Sequence, residues 1–188
     1  MSTQTRLQAE QQEARRNFLV TGARSFLQGT AAMAKFHREV YHGCRKALEN
    51  QLPALEKALA MKLDARAIIA DPDTWDLADP AESVGARLWI ENWGNIYSYC
   101  WWRYGEDGEE PVVSAVASIE SAKAATRQQW EQALKSVDPR VDRDERELWI
   151  EQVLSPDAFG DFESALNELL GSFAALLAKA KGRLKPTG

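Results

Sequence analysis

Few side chains in this chain carry reactive chemistry. Histidine occurs only as His37 and His42, and cysteine only as Cys44 and Cys100. A zinc site of the His-Glu-x-x-His kind sets its imidazoles four residues apart on one helix face. Here the separation is five, which turns the rings about 140° apart at 3.6 residues per turn. Cys44 follows His37 by seven residues and shares its face. It lies about 10.5 Å along the axis, too far for one zinc with bonds near ~2.0–2.3 Å. No metal and no cofactor are expected from this set. One histidine should be exposed and the other hydrogen-bonded near the edge of the core. Acyl transfer through a triad needs a well-placed base that two histidines here do not supply, and no Gly-x-Ser-x-Gly elbow occurs. There is no Walker loop and no Gly-x-Gly-x-x-Gly, so no phosphate cradle can be read. Two cysteines 56 residues apart read as reduced thiols filling apolar space, as in a cytoplasmic protein.

Carboxylates gather in two segments. Asp71, Asp73, Asp76, Asp79 and Glu82 form the first, and Glu106, Asp107, Glu109 and Glu110 the second. Pro72 interrupts the first, and its spacing lacks the central Gly and closing Glu of a calcium loop. As solvated acidic loops they would suit a partner with a basic surface. A metal-dependent enzyme built on them is the weaker alternative.

Aromatic residues are the other concentration. Trp89, Trp93, Trp101 and Trp102 fall within fourteen residues, with Tyr97 and Tyr99 between them and Tyr104 just beyond. Alternation separates Tyr97, Tyr99, Trp101 and Arg103 from Ile96, Cys100, Trp102 and Tyr104. Tyr, Trp and Arg are enriched at interface hot spots. Stacking on nucleic-acid bases is opposed here by the flanking acidic loops, which repel phosphate.

These residues need elements to position them. Residues 2–62 read as two or three helices, with Phe36, Val40, Cys44, Leu48, Leu52, Leu55 and Leu59 at helical spacing and Pro53 a kink or new start. Residues 64–85 read as a connection, with Asp-Pro at 71–72 and 79–80. Residues 86–120 read as an antiparallel meander. Its first strand runs from Arg87 to Trp93, with Trp89 and Trp93 on one face and Leu88 and Ile90 on the other. Gly94-Asn95 is a turn or bulge, Ile96–Tyr104 a second strand and Val112–Ile119 the return strand after Asp107-Gly108. Ser121 suits a helix cap, and Trp130, Ala133, Leu134 and Val137 share a helix face. Residues 147–154 read either as a fourth strand, repeating the Leu-Trp-Ile-Glu of 88–91, or as a helix opened by Asp144 and Glu147. The last helix starts near Ser155-Pro156 or Asp161 and presents Phe162, Leu166, Leu169, Leu170, Phe173, Leu177 and Leu184. Lys179, Lys181, Arg183 and Lys185 at its end complement its dipole.

The chain has 188 residues, 45% of them hydrophobic, and a net charge of −5. That suits one domain with a core of its own, formed by a helical part (1–63), the meander (86–120) and the remainder (121–184). Residues 1–66 hold eleven Lys/Arg against six Asp/Glu; residues 67–188 hold twelve against twenty-two. No apolar run approaches the ~20 residues of a membrane span, and the first sixteen residues lack the apolar core of a signal peptide.

The expected architecture is therefore α+β: N-terminal helices, an antiparallel sheet of three to four strands and an amphipathic C-terminal helix. The expected function is that of a non-enzymatic protein-binding module (an adaptor, inhibitor or chaperone-like protein), with a second copy of the chain a further possible partner. Its contact residues would be Asp71, Asp73, Asp76, Asp79, Trp89, Trp93, Trp101, Arg103, Glu106, Asp107, Glu109 and Glu110. The alternative is nucleic-acid contact through Arg15, Arg16, Arg24, Arg38, Arg45 and Lys46, which predicts a steep salt dependence.

Overall fold

In a computed structural model of the chain, residues 3–70, 83–91, 93–103, 112–121, 124–143, 147–154 and 161–184 are described. The elements run α1 (Thr3–Leu59), β1 (Ile68–Ala70), β2 (Ser83–Ile90), β3 (Gly94–Arg103), β4 (Val112–Ser121), α2 (Ala124–Val137), β5 (Asp142–Arg143), β6 (Glu147–Leu154) and α3 (Phe162–Lys181). The architecture is α+β, and no described helix is long and apolar enough to cross a membrane. Two compact units divide the chain, Met1–Arg38 and Glu39–Gly188. Phe18, Leu19, Val20, Leu27 and Phe36 of the first are exposed.

Residues 3–59 form one helix, not the expected two or three. Pro53 is exposed, and it removes a single backbone hydrogen bond one and a half turns before the end. Burial of Leu48, Leu55, Ala58 and Leu59 on both sides of it outweighs that loss. The helix ends at Ala60, whose φ of 54° is left-handed. The Met61 N–H then turns back to the Glu56 carbonyl at 3.2 Å, closing the last turn. Gly43, which weakens the helical pattern, is where the Phe162 ring of α3 approaches: a Cβ there would lie 2.5 Å from it.

The sheet has six antiparallel strands in the order β1-β2-β3-β4-β6-β5, where three to four were expected. β1 and β5 are three and two residues long, too short to show alternation. Residues 147–154 are strand: Leu148, Ile150 and Leu154 are buried at period two. Ser121 is the last residue of β4, and α2 starts at Ala124. The first meander strand runs earlier than expected, ending at Ile90, so Trp93 leaves the alternation that places Trp89. The Trp93 N–H donates to the Ile90 carbonyl, and its ring meets Trp130 edge-on at 6.2 Å.

Within residues 39–188 the helices cover one face of the sheet. Val84, Ala86, Leu88, Ile96, Cys100, Ala115, Ala117, Ile119, Leu148 and Ile150 point into the core, joined by Cys44, Leu48 and Leu55 of α1, Trp130 and Leu134 of α2, and Leu166, Leu170, Phe173 and Leu177 of α3. Lys46 pairs with Glu163 at 2.9 Å, tying α1 to α3. The cations at the end of α3 serve other helices besides their own. Lys181 donates to the last carbonyl of α1, at Leu59, and Arg183 donates to the Ser136 carbonyl of α2 at 2.6 Å.

The two cysteines meet in this core. The Cys44 thiol donates to the Val84 carbonyl at 3.8 Å, and Val84 is the register partner of Cys100. Both are buried, and burial followed by the neighbouring Cys100 pushes the Cys44 thiol well above its ordinary value. Neither cysteine should therefore react with a thiol reagent in the native protein, while both should react in denaturant, as counted by absorbance of the released chromophore. The Cys44 shift also fixes a sign: its contribution to stability is full below the unfolded thiol's pKa and is lost as the pH rises through the folded one.

β2 approaches β3 closely at Gly85, opposite Tyr99. A Cβ at Gly85 would lie 2.2 Å from the Tyr99 Cβ and 2.6 Å from the Ser98 carbonyl oxygen. Gly85→Ala should thus destabilise by roughly 1–3 kcal/mol, read from the urea midpoint.

Candidate functional site

The face of the sheet away from the helices is built by the same period-two rule. β2 contributes Ser83, Gly85, Arg87 and Trp89; β3 contributes Asn95, Tyr97, Tyr99 and Trp101; β4 contributes Ser114, Val116, Ser118 and Glu120; β6 contributes Glu147, Trp149, Glu151 and Val153. The rows are in register: Tyr97–Ser118–Trp149, Tyr99–Val116–Glu151 and Trp101–Ser114–Val153.

Ser114, Val116 and Ser118 on β4 are fully buried although they point away from the helices. Hydrogen bonds cross above them. The Tyr99 hydroxyl of β3 donates to Glu147 of β6 at 3.4 Å, and the Trp101 indole N–H donates to Glu151 at 3.2 Å. Ser118 donates to Glu147 from below at 2.9 Å.

Glu120 and Glu147 are direct register partners, an arrangement that repels. Each carboxylate has its own donors. Glu120 accepts from the Tyr97 hydroxyl at 2.7 Å and from the Asn95 amide at 2.8 Å, and Glu147 accepts from Ser118 and Tyr99. Desolvation, followed by the hydrogen bond to Glu120, pushes the Tyr97 phenol far above its ordinary value. Tyr97 is only 7% exposed, so it acts here as a fixed donor and not as a base.

Among the described residues, two hollows border this region. One, of about 320 Å3, is lined by Ser83, Tyr99, Trp101, Trp149 and Glu151 on the outer face. The other, of about 750 Å3, lies between β6 and α3 and includes Asp138, Arg140, Ile150, Leu169, Leu176 and Lys179. Its charges are of both signs and partly paired: Arg140 bonds Asp138 at 2.7 Å and holds it down to about 2. The smaller hollow has one sign of charge and three aromatic walls, which makes it the more selective of the two.

The expected contact residues separate. Asp71, Asp73, Asp76, Asp79, Glu106, Asp107, Glu109 and Glu110 lie outside the described residues, as do the side chains of Arg15 and Arg103. Trp89 is 54% exposed on the outer face, and Trp101 is half-buried at the hollow. Trp93 belongs to the helix side. Arg16, Arg24 and Arg38 are exposed in the first unit, and Arg38 donates to its own helix at the Ala34 carbonyl. Arg45 is paired with Glu49 at 2.9 Å and Lys46 with Glu163. His42 is exposed and His37 buried. Among the described residues no three His, Cys, Asp or Glu side chains are grouped to hold a metal.

Sequence reasoning passed over Glu120, Glu147, Trp149 and Glu151 as site residues. The repeated Leu-Trp-Ile-Glu was the available signal. In both copies Leu and Ile are buried and Trp points to the outer face. No protein-family model, curated protein or solved structure matches the chain.

The Tyr97 bond is testable by substitution and by titration. Tyr97→Phe leaves Glu120 short of a donor and should cost about 1–3 kcal/mol in denaturant unfolding. In an alkaline absorbance titration Tyr97 should stay protonated where exposed tyrosines ionise. Its contribution to stability is complete below the ordinary phenol pKa and is lost as the pH rises through the folded value.

Proposed function

We propose that the chain is a non-enzymatic protein-binding module whose contact surface is the outer face of the sheet. The observation that carries this reading is a sheet face that the described helices of residues 39–188 do not cover and that presents Trp89, Tyr99, Trp101 and Trp149, with Tyr99 and Trp101 fixed by Glu147 and Glu151 and Val153 63% exposed at its edge. Aromatic side chains fixed by neighbours lose little entropy on binding, which is why such residues anchor interfaces. Glu120, Glu147 and Glu151 stand at outward positions against Arg87, so the partner that fits is one with a basic contact surface. A second copy docking face to face would set carboxylate against carboxylate, which favours a different protein over a homodimer.

Nucleic-acid contact through α1 is the second reading, favoured by exposure of Arg16, Arg24 and Arg38. It has a smaller footprint than the sequence suggests, because Arg45 and Lys46 already neutralise Glu49 and Glu163.

Trp89→Ser and Trp149→Ala should each remove the same set of proteins from those that immobilised wild type retains at low salt. Loss of an anchor of this kind costs roughly 2 kcal/mol or more, about thirty-fold in affinity. Arg16→Glu with Arg24→Glu should leave that set unchanged. Retention unaffected by the sheet variants, in protein of unchanged circular dichroism, would discard the outer face as the contact surface. Retention abolished by the arginine variant alone would transfer it to the helix.

A further inference from the structure

The smaller hollow has a composition that selects one class of ligand. Its walls stand on β3 and β6, with β4 between them. Neighbouring strands are about 4.8 Å apart, so Tyr99 and Glu151, which share a register row across β4, rise from backbones roughly 10 Å apart, with Trp101 two residues along β3 to one side of that row and Trp149 two residues along β6 to the other. All three rings line one hollow, and a cation is attracted to an aromatic ring face within about 6 Å of its centroid. The middle strand offers only Ser114, Val116 and Ser118, buried beneath the Tyr99 and Trp101 side chains that reach across to β6. Glu151 stands on the wall, and the Trp101 indole N–H fixes one of its oxygens.

We propose that this hollow binds an organic cation, a methylated ammonium group, in a cage of Tyr99, Trp101 and Trp149 with Glu151 as its counter-charge. The inference rests on reading the outer face as a binding surface and names what that surface grips. One carboxylate matches one positive charge, and three aromatic rings match methyl groups. A bare ammonium is strongly hydrated and needs acceptors that this wall does not provide in number. Methylation removes donors and replaces them with apolar surface while keeping the charge. An uncharged group of the same shape would gain the aromatic contacts but leave Glu151 without its complement.

The test uses the full chain and follows the indole N–H resonances of Trp101 and Trp149 by NMR, assigned with Trp→Phe variants. The probes are choline, its neutral isostere with carbon in place of nitrogen, and one peptide carrying either trimethyl-lysine or unmodified lysine. Choline should shift both indoles and bind at least about five-fold tighter than the isostere. Trimethyl-lysine should outcompete lysine in the same peptide. Glu151→Gln should weaken choline several-fold and leave the isostere unchanged, and Trp149→Ala should lose choline binding. Binding of choline with no gain from the peptide assigns the cage to a free small molecule; a gain from the peptide assigns it to a modified protein side chain. Either supports the cage. Equal binding of choline and its isostere, or no shift with any probe, overturns it. If no probe binds but Trp149→Ala still loses the retained proteins, the cage fails and the binding face stands. If choline binds and the sheet variants change no retention, the cage stands without the protein partner.

Discussion

The burial of β4 on both sides is the constraint from which the rest of the second unit is arranged. Toward the helices it presents Ala115, Ala117 and Ile119, and away from them Ser114, Val116 and Ser118, all of them buried. The inner row is covered in the usual way, by the apolar faces of helices. The outer row has small side chains, and above it the neighbouring strands are joined by polar bonds, Tyr99 to Glu147 and Trp101 to Glu151. A strand with large outward residues at 114, 116 and 118 would displace the Tyr99 and Trp101 side chains that bridge it.

That arrangement explains how carboxylates persist on a half-buried aromatic surface. A buried charge without partners costs several kcal/mol, and two opposed carboxylates repel as well. Glu120 and Glu147 each meet two donors from the strands beside them, so the donors come from the same rigid sheet as the charges. The polar groups of this face therefore brace it internally and also set its sign. The most exposed residues of this face, Trp89 and Val153, lie toward its sides, while Tyr99 and Trp101 reach across its middle strand. On the helix side the described aromatic and thiol groups are packed inward. There Trp93 is taken up against Trp130, and the thiols of Cys44 and Cys100 are enclosed.

The cations of α3 show the same economy of position. By sequence they complement the dipole of their own helix. In the fold, Lys181 and Arg183 also satisfy terminal carbonyls of α1 and α2. One helix end thus secures two others, which a local rule about dipoles does not reveal.

Much of this was legible in the residues. The helical spacing of Leu166, Leu170, Phe173 and Leu177, and the alternation of Ile96 and Cys100 against Tyr97, Tyr99 and Trp101, are local periodicities, and both emerge on the expected faces. The α+β class follows from them. Continuity of α1 through Pro53 is not legible there, because the lost hydrogen bond is local while the burial that outweighs it comes from other elements. The short strands β1 and β5 had too few residues to show a period. The hollow was least legible of all. Tyr99 and Glu151 are 52 residues apart, and they become neighbours only because β6 returns beside β4 in one register. Sequence by itself determined which residues share a face, since that depends on the pitch of each element. Only the tertiary structure decided which faces meet, since strand pairing joins distant residues, and a one-residue slip would have turned Trp149 and Glu151 into the core.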